Sequence, residues 1–449
     1  MRLITRPLTL LAMMTACVLL ATACGGGDGV GRGGAGRGGT VRLLVSGAPE
    51  ELTAYRTLAD AYEKAAPGTA IQIIEASSAK DLITRLSTSM AGGAPPDVFL
   101  INYRAYGQFA AKNAIESIDE RLRTSNAIRA ADFYPAPMEA FRWAGQQLCL
   151  PQNASSLALY FNRSLFQKYG VAEPKPGWTW NDLVATAKVL TRDTTGAVVK
   201  GTESEGGAGR VAVHGLGLEP QIIRVAPFVW SNGGQFVDDP QKPTRLTFDA
   251  PAAREALKNF VDLRGAYGVV PTDQDVKAED DESRFANGRL AMLLQSRRVT
   301  PTFRTITGFD WDVAPLPQYG KAVGILHSDA YCMTRGSDNK DGAWRFMEFA
   351  MGPEGQRIIA ATGRTVPSHI EVSKSSAFLD PMKSPRNASV FLDAISTLQR
   401  VPTVSTWPEI EDVTNGILEN AFYRGDRLDD VIRELDEKTR PLFARAAAP

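Results

Sequence analysis

Two short motifs carry residue types suited to covalent chemistry. Ser77-Ser78-Ala79-Lys80 sets a hydroxyl three residues before an amine, the S-x-x-K spacing of an acylating serine, and Ser337-Asp338-Asn339 matches the S-D-N companion of that motif. Together they raise one enzyme reading, a serine penicillin-recognising enzyme. Its third mark, K-T-G, does not occur in the chain. An acylating serine would also open a long buried helix, whereas the polar residues 75–80 leave a strand and read as a turn before a helix at Asp81. Triads of common residues recur by chance over 449 positions. His214, His327 and His369 stand far apart, with no H-E-x-x-H or cysteine-pair spacing, so neither a metal site nor a catalytic residue is expected. The acidic run 273–283 has the carboxylates of a calcium loop without its glycine turn or closing glutamate, and reads as a solvated loop before a helix. Gly31-Arg32-Gly33-Gly34-Ala35-Gly36 spells a dinucleotide fingerprint but precedes the first strand instead of following one, so it reads as low complexity and no cofactor is expected.

The elements that must position any functional residue begin after a leader. Arg2 and Arg6 precede an apolar run over residues 8–20, closed by Ala21-Thr22-Ala23-Cys24. The run falls short of the roughly 20 apolar residues of a spanning helix, and the small-small-Cys ending resembles a lipobox, although Ala21 stands where leucine is usual. Residues 1–23 are therefore expected to be a lipoprotein signal peptide, Cys24 the lipidated residue, and residues 24–39 a glycine-rich tether holding the protein outside the cytoplasm on the cell membrane. Met14-Thr15-Ala16-Cys17, a second possible site, would leave too short an apolar region. A hydrophobic fraction of 44% fits a folded chain, and residues 40–449 are long enough for two lobes with cores of their own. Acidic and basic residues number 50 each, and losing Arg2 and Arg6 leaves a slight acidic excess, so no nucleic-acid partner is expected. Cys149 and Cys332 remain; spacing alone leaves open a disulfide or two buried thiols.

Val41, Leu43 and Val45 alternate as a strand should, and Leu52, Tyr55, Ala59 and Tyr62 follow at helical spacing until Pro67-Gly68. Residues 70–76 read as a second strand, 81–93 as a helix, and 96–102 as a strand buried on both faces, a repetition that predicts a mostly parallel sheet. Pro151 should interrupt the strand-like run 146–162 where the chain crosses between lobes. Residues 248–268 form a helix with Asp249 as its expected cap, 281–295 run a helix into a strand, and the chain from Pro408 onward is largely helical.

Further along, "PGWTWNDLVATAKVLT" (176–191) resembles the P-x-T-W-x-[DE]-L-x-x-x-A-x-x-L segment of extracellular solute-binding proteins of carbohydrate ABC importers, the family 1, maltose-binding-like proteins. Thr179 can cap this helix, Trp180 anchors its first turn, and Leu183, Ala187 and Leu190 form the buried stripe, leaving Trp178 exposed. The resemblance continues in order through "GGAPPDVFLIN", "CLPQNASSLALYFNRSLFQKYGV", "ESRFANGRLAMLLQS" and "GSDNKDGAWRFMEFAMGPEGQRIIAATGRTVPSH", which turns the apparent S-D-N triad into a helix start.

That resemblance implies an α/β, two-lobed periplasmic-binding-protein fold of type II, with a hinge of crossing strands and a ligand cleft between the lobes. It implies lobe 1 from residues 40–149 plus 333–378 and lobe 2 from 150–332 plus 379–449. Cys149 and Cys332 then fall on neighbouring crossing strands, where a disulfide would brace the hinge. The implied role is non-enzymatic: a monomer captures a small-molecule sugar or sugar-like ligand and delivers it to the transmembrane subunits of an ABC permease. The ligand residues expected from cleft-facing loops are Glu50, within the loop 48–51, then Asn102, Tyr103, Asn153 and Ser155, with Tyr106 near them. The second lobe offers Trp230, Gln295, Arg297, Arg298, His327, Ser328, Asp329, Arg364 and Trp407. Rings would cover sugar faces, and planar polar groups would take the hydroxyls. Where the family carries Gly-x-Trp after "AM", this chain has Gln295-Ser296-Arg297-Arg298, a cationic fork that suits a carboxylate or phosphate. A sugar acid or glycerophosphodiester is therefore the second ligand class, and both arginines facing solvent or a carboxylate is the plain alternative.

Overall fold

The computed structural model describes residues 39–199, 201 and 211–448. The expected signal peptide, the lipidation site Cys24 and all of the tether except Gly39 lie outside the described residues. Two sheets carry the architecture, formed in chain order by β1 (Thr40–Ser46), β2 (Ala70–Ala76), β3 (Val98–Asn102), β4 (Cys149–Pro151), β5 (Leu157–Asn162), β6 (Met292–Ser296), β7 (Trp311–Ala314) and β8 (Asp329–Met333). The first has the order β2-β1-β3-β8-β4, the second β6-β5-β7. β1 pairs in parallel with β2 and β3, but β8 runs antiparallel to both β3 and β4, and the second sheet is antiparallel throughout. The mostly parallel sheet expected from the opening βαβ repeats is therefore mixed: β8 re-enters the first sheet from the other lobe and meets β3 head to tail.

Helices α1 (Pro49–Ala65) and α2 (Ala79–Ala91) cover the opposite faces of that sheet, as the alternation in β1 demands. Val41, Leu43 and Val45 pack with Tyr55, Leu58 and Tyr62 of α1, while Leu44 joins Leu82 and Leu86 of α2. α3 (Tyr103–Ala110) follows β3 directly, capped by Asn102, whose side chain accepts from the Arg104 amide.

The second lobe carries α4 (Trp180–Leu190), α5 (Ile222–Ser231) and α6 (Pro251–Gly265). Thr179 and Asp182 form the reciprocal cap expected of α4, and Trp180 stacks on Tyr319 with ring centroids 5.4 Å apart. Trp178 is buried, contrary to the sequence expectation, because its indole N–H reaches the Pro315 carbonyl at 3.0 Å. Gly215 permits close passage beside α4: a Cβ there would stand 2.1 Å from the Ala187 carbonyl oxygen. The cap of α6 is Ala250, since Asp249 turns instead to Arg245 at 3.0 Å. The acidic run is helical as well: Asp273–Ala278 and Asp281–Ala286 are short helices capped by Thr272 and Asp280. Its carboxylates sit at helix starts, where they accept exposed amides.

α7 (Lys340–Met351) begins after its cap Asn339, and Ser337 donates to Asp97 at 2.5 Å, so the S-D-N residues are structural. α8 (Trp407–Arg424) and α9 (Leu428–Ala444) close the chain, α8 packing on α5, α6 and α3. Pro151 ends β4, and after five intervening residues β5 starts in the other sheet. The returning segment pairs with this crossover: Ser155 and His327 exchange both backbone hydrogen bonds, at 3.0 and 2.8 Å. Cys149 and Cys332 lie directly opposite in β4 and β8 and are joined by a disulfide across a Cα separation of 4.4 Å. The first sheet thus includes Leu150, Pro151 and Asp329–Cys332, which the sequence division had assigned to lobe 2. Among the described residues no helix is long and apolar enough to cross a membrane.

Candidate functional site

Strand ends of the two sheets face one another across a cleft of about 540 Å³, within the range of small-molecule sites. The first lobe contributes the end of β1, Glu51 and Tyr55 of α1, Ser77 and Ser78 before α2, and Asn102 and Arg104 at the β3–α3 junction. The second contributes Glu219 and Gln221, then Ile223 and Arg224 of α5, with Ser296 at the end of β6 and Arg298 beyond it. The crossing segments supply Asn153, Ser155, His327 and Asp329, and a loop beyond α7 supplies Arg364 and Thr365.

Asp329 organises the hinge side. Its carboxylate accepts from Asn102 Nδ2 at 3.1 Å and from Asn153 Nδ2 at 3.2 Å, one partner from each side of the crossover. Arg364 spans the cleft, pairing with Glu50 at 3.0 Å and Glu51 at 2.7 Å and donating to the Arg298 carbonyl at 3.0 Å. Burial raises the Glu51 carboxyl above its ordinary value, and Arg364 works against that shift. On the other wall Arg298 pairs with Glu282 and lies 3.5 Å from Glu219. Arg224 pairs with Glu219 and donates to Gln295 at 2.7 Å, while Arg104 pairs with Glu411 of α8. Burial lowers the His327 imidazole well below its ordinary value, and Arg224, Arg104 and Arg298 push the same way, so it is neutral at pH 7.

Of the residues expected from sequence, Asn102, Asn153, Ser155, Arg298, His327, Asp329 and Arg364 line this cleft, and the other eight do not. Tyr103 is fully buried with its hydroxyl accepting from the Val401 amide at 3.3 Å, and Tyr106 gives its hydroxyl to the Arg142 carbonyl. Trp230 and Trp407 both pack on Phe236 in the second-lobe core. Arg297 lies over the rings of Phe378 and Phe391, 4.2 and 5.0 Å from their centroids. Gln295 is spent on Arg224 and Glu282, and Ser328 donates to the Asn153 carbonyl at 2.6 Å. Glu50 stands behind Arg364, and its neighbour Glu51 takes the lining position. The two arginines of the fork follow β6 in a 3-10 turn, Arg297–Val299, and only Arg298 lines the cleft. Ser77 does line the cleft, but its hydroxyl donates to Asp81 at 3.0 Å and Ser78 caps α2, which leaves no acylation pair with Lys80.

Sequence reasoning passed over Arg104, Glu219, Gln221, Arg224 and Thr365. One signal was available for Arg224: it interrupts the otherwise apolar start of "IIRVAPFVWS", and a cation in a wholly buried helix must have polar company.

The family model for bacterial extracellular solute-binding proteins matches residues 47–357. A maltotriose-binding protein of Pyrococcus abyssi is 25% identical over 319 residues, covering 68% of this chain and 61% of its own. Among solved structures, an ABC substrate-binding protein of Listeria monocytogenes in complex with cycloalternan superposes with a TM-score of 0.80 at 22% identity, covering 90% of this chain and 99% of that one. UgpB of Mycobacterium tuberculosis in complex with glycerophosphocholine gives 0.76 at 19%, covering 91% and 99%. These relatives are binding proteins. With two lobes, crossing segments and a polar cleft in place, and with more than half its length matched, the chain belongs to the bacterial extracellular solute-binding proteins.

Proposed function

We propose that this protein captures one small, hydroxyl-rich solute of the sugar class in the interlobe cleft and delivers it to an ABC permease, without making or breaking a bond. The observation that carries the reading is the composition of the cleft wall, where carboxylates, guanidiniums and amides from both lobes converge on one cavity. Such planar groups pair with adjacent hydroxyls, each carboxylate accepting and each guanidinium donating. Asn102, Asn153, Asp329, Glu51, Arg298 and Arg364 are the proposed contacts. A ligand touching both lobes does so only when they are closed, so binding favours the closed form that the permease would read. Lipidation at Cys24 would hold the monomeric receptor at the membrane, and the relatives' maltotriose and cycloalternan make the sugar class the first to test.

The test is a calorimetric titration with glucose, maltose and longer oligomers, paired with small-angle scattering. One-to-one binding near micromolar, about −8 kcal/mol, with a fall in radius of gyration, is expected. Affinity that grows with chain length and leaves the shape unchanged would instead mark a module for a surface polymer.

A further inference from the structure

We infer that Arg224 is the receptor for an acidic group on the ligand, a carboxylate or a phosphate ester borne by a sugar or polyol. The inference rests on the proposed function and narrows its substrate class.

Arg224 is 3% exposed, on a helix buried along its whole length, and lines the cleft. A guanidinium has five N–H donors. Both partners of Arg224, Glu219 and Gln295, are met by Nη2, and neither Nε nor Nη1 has an acceptor. Three donors are therefore unused on a buried cation, and their desolvation is uncompensated. An oxyanion entering the cleft supplies what these donors lack, through charge-assisted hydrogen bonds.

Two further observations agree. His327 Nε2 and Thr365 Oγ1 line the same cleft and are also without partners. Burial, and after it the guanidiniums of Arg224, Arg104 and Arg298, keep the His327 ring uncharged. Each of these guanidiniums has a carboxylate partner, Glu219, Glu411 and Glu282 in turn, so what distinguishes Arg224 is its unmet donors and not net charge. Of the tyrosine, phenylalanine and tryptophan rings among the described residues only Tyr55 lines the cleft, and at 2% exposure it offers no flat face to a neutral pyranose. Recognition must then come from donors, and donors are in surplus.

The experiment is a titration of the full chain with glucose, glucuronate and glycerophosphocholine, for the wild type, Arg224→Gln and Arg224→Lys. The wild type is expected to bind one of the two probes with an anionic group, the glucuronate carboxylate or the glycerophosphocholine phosphodiester, at least tenfold tighter than glucose, and inorganic phosphate is expected to displace it competitively. Which anion wins separates a carboxylate from a phosphodiester. Arg224→Gln should erase the anion preference, and Arg224→Lys, which keeps the charge without the fork, should restore part of it. If Arg224→Gln fails to fold, the lysine variant and the phosphate competition on the wild type still decide the matter. Glucose binding as tightly as both anions, or an anion preference unchanged in Arg224→Gln, would overturn the inference and leave the sugar receptor standing. Absence of binding by all three probes would overturn this inference and leave the proposed function to its oligosaccharide titration.

Discussion

Loss of the Cys149–Cys332 bond should destabilise this protein more than loss of any single hydrogen bond in its hinge. The two cysteines are 183 positions apart, so the bond closes a very long loop in the unfolded chain. In the chain-entropy account a loop of that size forfeits about 18 cal/mol/K, or about 5 kcal/mol at 25 °C, although measured disulfides more often contribute about 2–4. Both residues are fully buried, and replacing each sulfur by hydrogen adds a small cavity cost of about 1 kcal/mol. The variant Cys149→Ala/Cys332→Ala is therefore expected to lose about 3–6 kcal/mol, a large share of the roughly 5–15 kcal/mol that holds a domain folded. β8 would still be hydrogen-bonded to β3 and β4, so the fold itself should survive. Urea unfolding monitored by tryptophan fluorescence measures the loss, and wild type unfolded with and without reductant repeats it with no substitution at all. A loss below about 1 kcal/mol in both arms would refute the reasoning. So would alkylation and peptide mapping that find Cys149 and Cys332 free in unreduced protein.

Trp407→Ala should cost about 3–5 kcal/mol in the same assay, because the ring is fully buried against Phe236, while ligand affinity stays within threefold because the residue lies outside the cleft. Asp281 is the clearest source of pH dependence. Burial pushes its carboxyl from 3.8 up to about 7, so the folded state binds its proton more tightly than the unfolded state. Its contribution is then fully present below about pH 4 and is lost as pH rises through 7, with a slope of up to about 1.4 kcal/mol per pH unit. Asp281→Asn should flatten that slope between pH 4 and 7 in urea midpoints taken across the range, and an unchanged slope would contradict the assignment. Arg364→Ala leaves Glu51, 17% exposed at its side chain, without its cation, and should cost about 1–3 kcal/mol by thermal unfolding. It should also enlarge the unliganded molecule in small-angle scattering, since the link to the Arg298 carbonyl is gone.

Sequence pattern carried the fold further than it carried the site, for a physical reason. The alternation of Val41, Leu43 and Val45, the Thr179–Asp182 cap and the break at Pro151 are local signals, written within a few residues of where they act. They survived contact with the tertiary structure. The direction of β8 was not legible, because it is set by a chain that leaves the first sheet at Pro151 and returns at Asp329. Likewise, an aromatic after a strand fits a ligand platform and a core equally well until its neighbours are known. Trp230 and Trp407 proved to be a pair around Phe236. The hinge residues Asn153, Ser155, His327 and Asp329 were found because crossing segments must pass the cleft. Arg104, Glu219 and Arg224 were missed because their place there depends on partners far away in the sequence, such as Glu411 and Gln295.

The distribution of partners within the cleft bears on how closure would be driven. Moving a two-state equilibrium from 1:99 to 99:1 takes about 5.5 kcal/mol of differential affinity. The hydrogen bond from Arg364 to the Arg298 carbonyl, made across the cleft, supplies at most a fraction of that, about 1.5–3 kcal/mol for a charged donor. The remainder has to come from groups that the protein itself leaves unmet. Asp329, Glu51 and Arg298 already have partners, so a ligand gains from them only by exchange. Arg224, His327 and Thr365 hold donor or acceptor positions with no partner, and a complementary group delivered to them gains without displacing one. The largest differential between open and closed forms should therefore arise at the floor of the cleft, and a solute able to reach it would close the protein more completely than one that only spans the rim.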